Sequence, residues 1–193
     1  DTSSVASLGW VGEYAYACNF PENQLYRISV RDGSVETADL PCDAATSHQG
    51  GILVLNGLSA PEGGGLWHFD SFEAAQLGRP QQTFDITPYA TRIATNGGRA
   101  YAAWHSTPSI ETAPIEPGGA LSQVNLQGFD DWVWAMDVLD DGRLLINSGY
   151  FSNVDGFLVF DAQTGESKGI QQVQTGGQPL RLTGLDCVSG ARR

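Results

Sequence analysis

Few side chains in this sequence are suited to chemistry, and they are spread along its whole length. Three histidines, His48, His68 and His105, are the first candidates for a zinc centre. His48 and His68 fall toward one end of their strands while His105 begins a loop at the other, so the three do not gather around one ion. No serine, histidine and aspartate stand in a nucleophile arrangement. G-x-S-x-G, H-E-x-x-H and a phosphate-cradling glycine motif are all absent. What remains is a set of carboxylates, amides, arginines and ring donors: Asp43, Asn56, Arg92, His105, Asp130, Asp131, Asn147, Tyr150 and Arg181. Its oxygens are hard donors of the kind Ca²⁺ takes, and its amides and guanidinium groups suit a hydrogen-bonding ligand. No cofactor is predicted, and the set is compatible with Ca²⁺, the metal otherwise being unknown. Asp32-Gly33 and Asp141-Gly142 are ordinary hairpin chemistry.

These residues act together only if the chain's elements carry them to one place. A short strand, a turn and a stronger strand recur four times: Val5–Leu8 with Glu13–Ala17, Ala44–Ser47 with Gly51–Leu55, Arg92–Thr95 with Arg99–Ala103, and Trp134–Asp137 with Arg143–Ile146. The return every 40 to 50 residues, roughly, is the period of propeller blades. Gln24–Val30 and Gly156–Asp161 alternate polar and apolar residues and precede tight turns, which makes them third strands of the first and fourth units. The expected fold is all-β, a β-propeller or partial propeller of about four four-stranded antiparallel blades plus one extra strand. The whole of 1–193 is read as one domain, with blades at about 3–41, 42–89, 90–131 and 132–179 and the extra strand at about 180–188. Residues 71–79 read as an insertion with a helical turn. In the third unit a long loop is expected over 105–118, followed by a strand at 120–125 and a poorly marked outer strand. The extra strand either closes a small ring on the first blade or marks a fragment.

In such a meander the end of each second strand and the connection into the next blade share one face. Cys18 and Cys42 occupy those two positions, so a disulfide between them is geometrically reasonable, with Cys187 left over. Three buried thiols in a reducing compartment are the alternative. The loops between second and third strands emerge on this same face, which makes it the expected ligand face and gathers the set named above. Trp10, Trp67, Trp104, Trp132 and Trp134 are expected mainly between blades. Trp132 and Trp134 point to one side of their strand.

Composition removes several function classes. Lys168 is the only lysine and the formal charge is -12, so nucleic acid is excluded as a partner. No run of 18 apolar residues exists to span a membrane, and the first residues lack the features of a signal peptide. The expected localisation is secreted or periplasmic, as a mature chain.

One stretch carries a family resemblance. Asp140-Asp141-Gly142-Arg143-Leu144-Leu145-Ile146-Asn147-Ser148-Gly149, then Gly156 to Asp161, then Thr164-Gly165-Glu166, resembles the repeat propellers of the YVTN, quinoprotein and regucalcin or gluconolactonase kinds. The resemblance covers one blade well and the other three loosely, and it implies architecture rather than activity. In kind only, the acidic and amide set resembles the metal site of gluconolactonase-like propellers. The functional expectation is a non-catalytic exported binding or assembly module, acting through its loop face or an open blade edge. Its partner would be another protein chain or a glycan, with homo- or hetero-oligomers allowed; a metal-dependent lactonase or lyase is the alternative.

Overall fold

A computed structural model describes residues 5–19, 22–57, 64–86, 90–104, 107–148 and 156–172. Sixteen strands among these residues form four antiparallel sheets, each a meander in sequence order. The first sheet holds β1 (Val5–Val11), β2 (Tyr14–Asn19), β3 (Gln24–Ser29) and β4 (Val35–Asp39). The second holds β5 (Ala44–His48), β6 (Gly51–Leu55), β7 (Gly65–Phe69) and β8 (Gln82–Asp85), with helix α1 (Phe72–Gln76) between its last two strands. The third holds β9 (Arg92–Asn96), β10 (Arg99–Ala103), β11 (Ser109–Pro114) and β12 (Ser122–Asn125). The fourth holds β13 (Ala135–Val138), β14 (Arg143–Asn147), β15 (Gly156–Asp161) and β16 (Ser167–Gln172).

One expectation is corrected. The loop expected over 105–118 contains β11, which pairs with β10 from Arg99↔Pro114 to Ala103↔Ile110 and so makes 122–125 the outer strand. Ile110, Thr112 and Ala113 supply its buried positions, a weak apolar signal for a strand. The extra strand at about 180–188 and Cys187 lie outside the described residues.

Strand β6 shows why the sheets must stack. All five of its residues are buried. Because successive side chains point to opposite faces, Ile52 and Val54 enter a core shared with the first sheet, containing Tyr16, Leu25, Leu40, Phe69 and Phe72. Leu53 and Leu55 enter another shared with the third, containing Leu66, Phe84, Ala100 and Ala102. A third core joins the third and fourth sheets through Ile110, Phe129, Val133, Leu144, Ile146 and Phe160. Each core lies between consecutive sheets, so no sheet buries its faces alone. The first strands β1, β5, β9 and β13 pack beside one another in that order, and no comparable packing joins β13 to β1 among the described residues. Gly9 is required here: a Cβ would come within 2.7 Å of Thr46 Cα on the neighbouring first strand.

Two further devices fasten the first sheet to the second. Cys18 at the end of β2 is disulfide-bonded to Cys42 in the link to β5, with Cα atoms 5.2 Å apart, as expected from the meander. Arg27 on β3 donates to Glu36 and, across the sheet boundary, to Glu73 of α1 at 2.9 Å. Its guanidinium also lies over the Phe72 ring at 4.4 Å. Ser71 caps α1, its hydroxyl accepting from Ala74 N–H at 3.2 Å.

Candidate functional site

Parallel first strands all begin on one face, and hydrogen bonds tie each start to the end of the adjacent second strand. Asp43 N–H donates to Leu55 O at 2.7 Å, Thr91 N–H to Ala103 O at 2.9 Å and Trp134 N–H to Asn147 O at 2.9 Å. The second strands therefore deliver Asn19, Asn56, Trp104 and Asn147 to the same rim as Asp43, Thr91 and Trp134. Backbone pairing fills most polar needs there, but not those of the side chains. Asn19 Oδ1, Asn56 Nδ2, Thr91 Oγ1 and Asn147 Oδ1 are buried and have no hydrogen-bond partner among the described residues. Buried polar atoms are nearly always paired, so these four exceptions mark the rim, with His48 Nε2 a further one on the opposite face. Asn56 is held by its other end, Oδ1 accepting from Gly65 N–H at 2.5 Å. Asn19 Nδ2 donates to Glu22 Oε2 at 2.7 Å and to the Tyr26 hydroxyl at 3.1 Å.

Arg92, the first residue of β9, spans two sheets at this rim. Its Nε–H donates to the Trp134 carbonyl, its Nη1–H to the Thr91 carbonyl at 2.8 Å, and its guanidinium lies 5.7 Å from the centre of the Trp134 ring. Burial alone pulls its pKa below the ordinary arginine value. It has no salt bridge among the described residues. Val133 is fully buried between Trp132 and Trp134, while Trp132 is 39% exposed. Trp132 thus departs from the expectation that the tryptophans pack between blades, because the 126–134 link spends its core contacts on Leu126, Phe129 and Val133.

The other expected ligand-face residues divide into three groups. Asp43, Asn56 and Asn147 are buried rather than displayed. Asp130 is exposed and Asp131 partly buried, its Oδ1 accepting from Trp132 N–H at 2.8 Å. His105, Tyr150 and Arg181 lie outside the described residues. Among the described residues no three His, Cys, Asp or Glu side chains come together as metal ligands.

The opposite face holds a feature that the sequence reading missed. Gly12, Ser47–Gly50, Thr95–Gly98 and Asp140, from the first hairpins of all four sheets, line one open depression of about 600 Å³. Thr95 Oγ1 donates to Ser47 O at 3.0 Å, and Asn96 Nδ2 donates to the Leu139 carbonyl, fastening neighbouring hairpins. His48 and His68 meet edge to face there at 5.4 Å, and burial pushes both pKa values down. Turn residues carry no individual signature of a cavity; only the repetition of the hairpin around one centre creates it.

Sheets stacked through shared cores, with first strands side by side around a depression lined by all of them, define the architecture. The fold is a β-propeller. No protein-family model and no curated protein matches the sequence. Solved propellers do match in structure. A chain of the mitotic checkpoint complex aligns with TM-score 0.63 and 17% identity over 91% of this propeller and 54% of that chain. Hydrazine synthase from Kuenenia stuttgartiensis aligns with TM-score 0.65 and 11% identity, over 89% and 50% respectively. Virginiamycin B lyase from Staphylococcus aureus aligns with TM-score 0.63 and 10% identity, over 93% and 59%. The propeller thus spans about half the length of these solved chains. They include enzymes and a non-enzymatic complex, so the likeness establishes fold and leaves activity to the site.

Proposed function

We propose that this propeller is a non-catalytic, exported binding module whose working surface is the loop face, where first strands begin and second strands end. The observation that carries the reading is the group of buried, unpartnered polar atoms on Asn19, Asn56, Thr91 and Asn147. An unmet buried hydrogen-bonding group costs about 1–3 kcal/mol, and sites for ligands are where such costs persist. The Cys18–Cys42 disulfide supports an oxidising compartment, and among the described residues no helix is long and apolar enough to cross a membrane. A partner protein chain or a glycan fits a surface of amides and indoles.

Thr91→Val is the decisive variant, since it removes the hydroxyl at constant shape. Wild type and variant are screened for ligand-induced shifts in unfolding temperature against a panel of oligosaccharides and short peptides. The expected outcome is that Thr91→Val unfolds at the same or higher denaturant concentration yet no longer responds to the ligand that stabilises the wild type. A variant that loses stability, or that answers every ligand as the wild type does, sinks the reading and moves attention to the depression on the opposite face.

A further inference from the structure

Resting on that reading of the loop face, we infer that the ligand is a carboxylate-bearing sugar, a uronic acid within a saccharide, and that Arg92 is its anchor. Arg92 has five N–H donors. One is spent on the Trp134 carbonyl and one on the Thr91 carbonyl, and the rest have no acceptor among the described residues. A partly buried cation without a counter-charge is costly, and a carboxylate taken in fork geometry offsets that cost with two charge-assisted bonds. Two carbonyls and the Trp134 indole already fix the plane of the fork, so little ordering remains to be done on binding.

The neighbours specify the rest of the ligand. Trp134, whose carbonyl holds Arg92, donates its backbone N–H to Asn147 O, so a chain of hydrogen bonds runs from Arg92 through Trp134 to Asn147 along the rim. Thr91 Oγ1 and Asn147 Oδ1 there lack partners. A hydroxyl and an amide oxygen on the same rim as a guanidinium suit a ligand bearing several hydroxyls as well as a carboxylate. Trp132, 39% exposed two residues from Trp134, offers a flat apolar surface for a pyranose ring. A peptide carboxylate would instead call for apolar side-chain pockets or an open strand edge beside the cation.

The test titrates the full chain calorimetrically with oligogalacturonate, oligomannuronate and hyaluronan oligosaccharides, each beside its carboxyl-reduced counterpart, and with inorganic phosphate and a glutamate-rich peptide. One oligouronate is expected to bind, with its reduced counterpart weaker by about tenfold to a hundredfold, the worth of charged hydrogen bonds. Arg92→Gln should lose that same factor for the uronate and nothing for the reduced sugar. Arg92→Lys, which keeps charge but not the fork, should fall between them. Trp132→Ala should weaken both sugars alike. Urea unfolding of each variant separates lost binding from lost fold. Equal binding of native and reduced sugar overturns the anchor while leaving the loop face as the binding surface, provided Thr91→Val still abolishes it. Binding of the peptide or phosphate alone, or of no uronate at all, overturns the sugar-acid assignment outright. Uronate binding untouched by Arg92→Gln and Thr91→Val alike overturns both readings.

Discussion

Reducing the Cys18–Cys42 disulfide isolates one term of this protein's stability. The bond closes a loop with a sequence separation of 24. In the chain-entropy picture such a crosslink removes about 11–12 cal/mol/K from the unfolded ensemble, or about 3.5 kcal/mol at 25 °C. Both residues are fully buried within the core shared by the first two sheets. Reduction creates no cavity and requires only that the two sulfurs move from bonding to van der Waals distance, so the oxidised and reduced proteins differ mainly in their unfolded states. Urea denaturation followed by tryptophan fluorescence, with and without reductant, should show the reduced protein less stable by about 3.5 kcal/mol. Its m-value should be higher, because the unlinked unfolded chain exposes more surface. A double variant, Cys18→Ala with Cys42→Ala, should lose the same amount plus a small packing penalty. A loss under about 1 kcal/mol at unchanged m-value would refute the reasoning, because a 24-residue closure cannot be that cheap in an expanded unfolded chain.

Acid should destabilise the protein through His48 and His68. Burial comes first among the causes that lower both pKa values, reinforced by His68 at His48 and opposed at His68 by Asp70 and the Gln81 hydrogen bond. The unfolded chain then takes up protons before the folded one does, so this contribution is complete above the unfolded value of about 6.5 and is lost as pH falls through the folded values. Unfolding free energies measured from pH 8 down to pH 5 should decline below that point, and His48→Gln with His68→Gln should flatten the slope. Two glycines with similar backbone should respond differently to alanine. Gly33 and Gly165 have φ of 72° and 69°, but a Cβ on Gly33 meets nothing within 4 Å while one on Gly165 collides with the Asn125 carbonyl of the third sheet. Gly33→Ala should cost about 1 kcal/mol and Gly165→Ala about 3 kcal/mol or more in urea unfolding, and equal costs would show that the turn after β15 does not bear on its neighbour.

Much of the fold was legible because each blade announces itself by one dense strand. Gly51–Leu55 and Arg143–Asn147 owe their apolar runs to burial on both faces, and the pairing of Cys18 with Cys42 follows once the meander is known. Strand β11 was not legible. Pro108 and Pro114 bracket it and only Ile110 is a large buried aliphatic residue, so local signals favoured a loop that tertiary pairing overrides. At the loop face the sequence put Asn56 and Asn147 near the ends of second strands, but did not show that both are buried. Thr91 escaped notice because a lone threonine before a strand is ordinary; only the missing partner of its hydroxyl marks it.

Strand β16 lies at the outer edge of the fourth sheet, and all six of its residues are exposed. Lys168 on that strand pairs with Glu166 at 2.6 Å and is the only lysine in the sequence. A solvated cation on an edge strand discourages unwanted sheet pairing. It is also a single side-chain address for amine-reactive reagents. A dye or a sensor surface coupled through Lys168 takes hold of the rim in one orientation, with the loop face and the hairpin depression both left open to solution. Ligand capture can then be compared face by face on one uniformly oriented layer of protein.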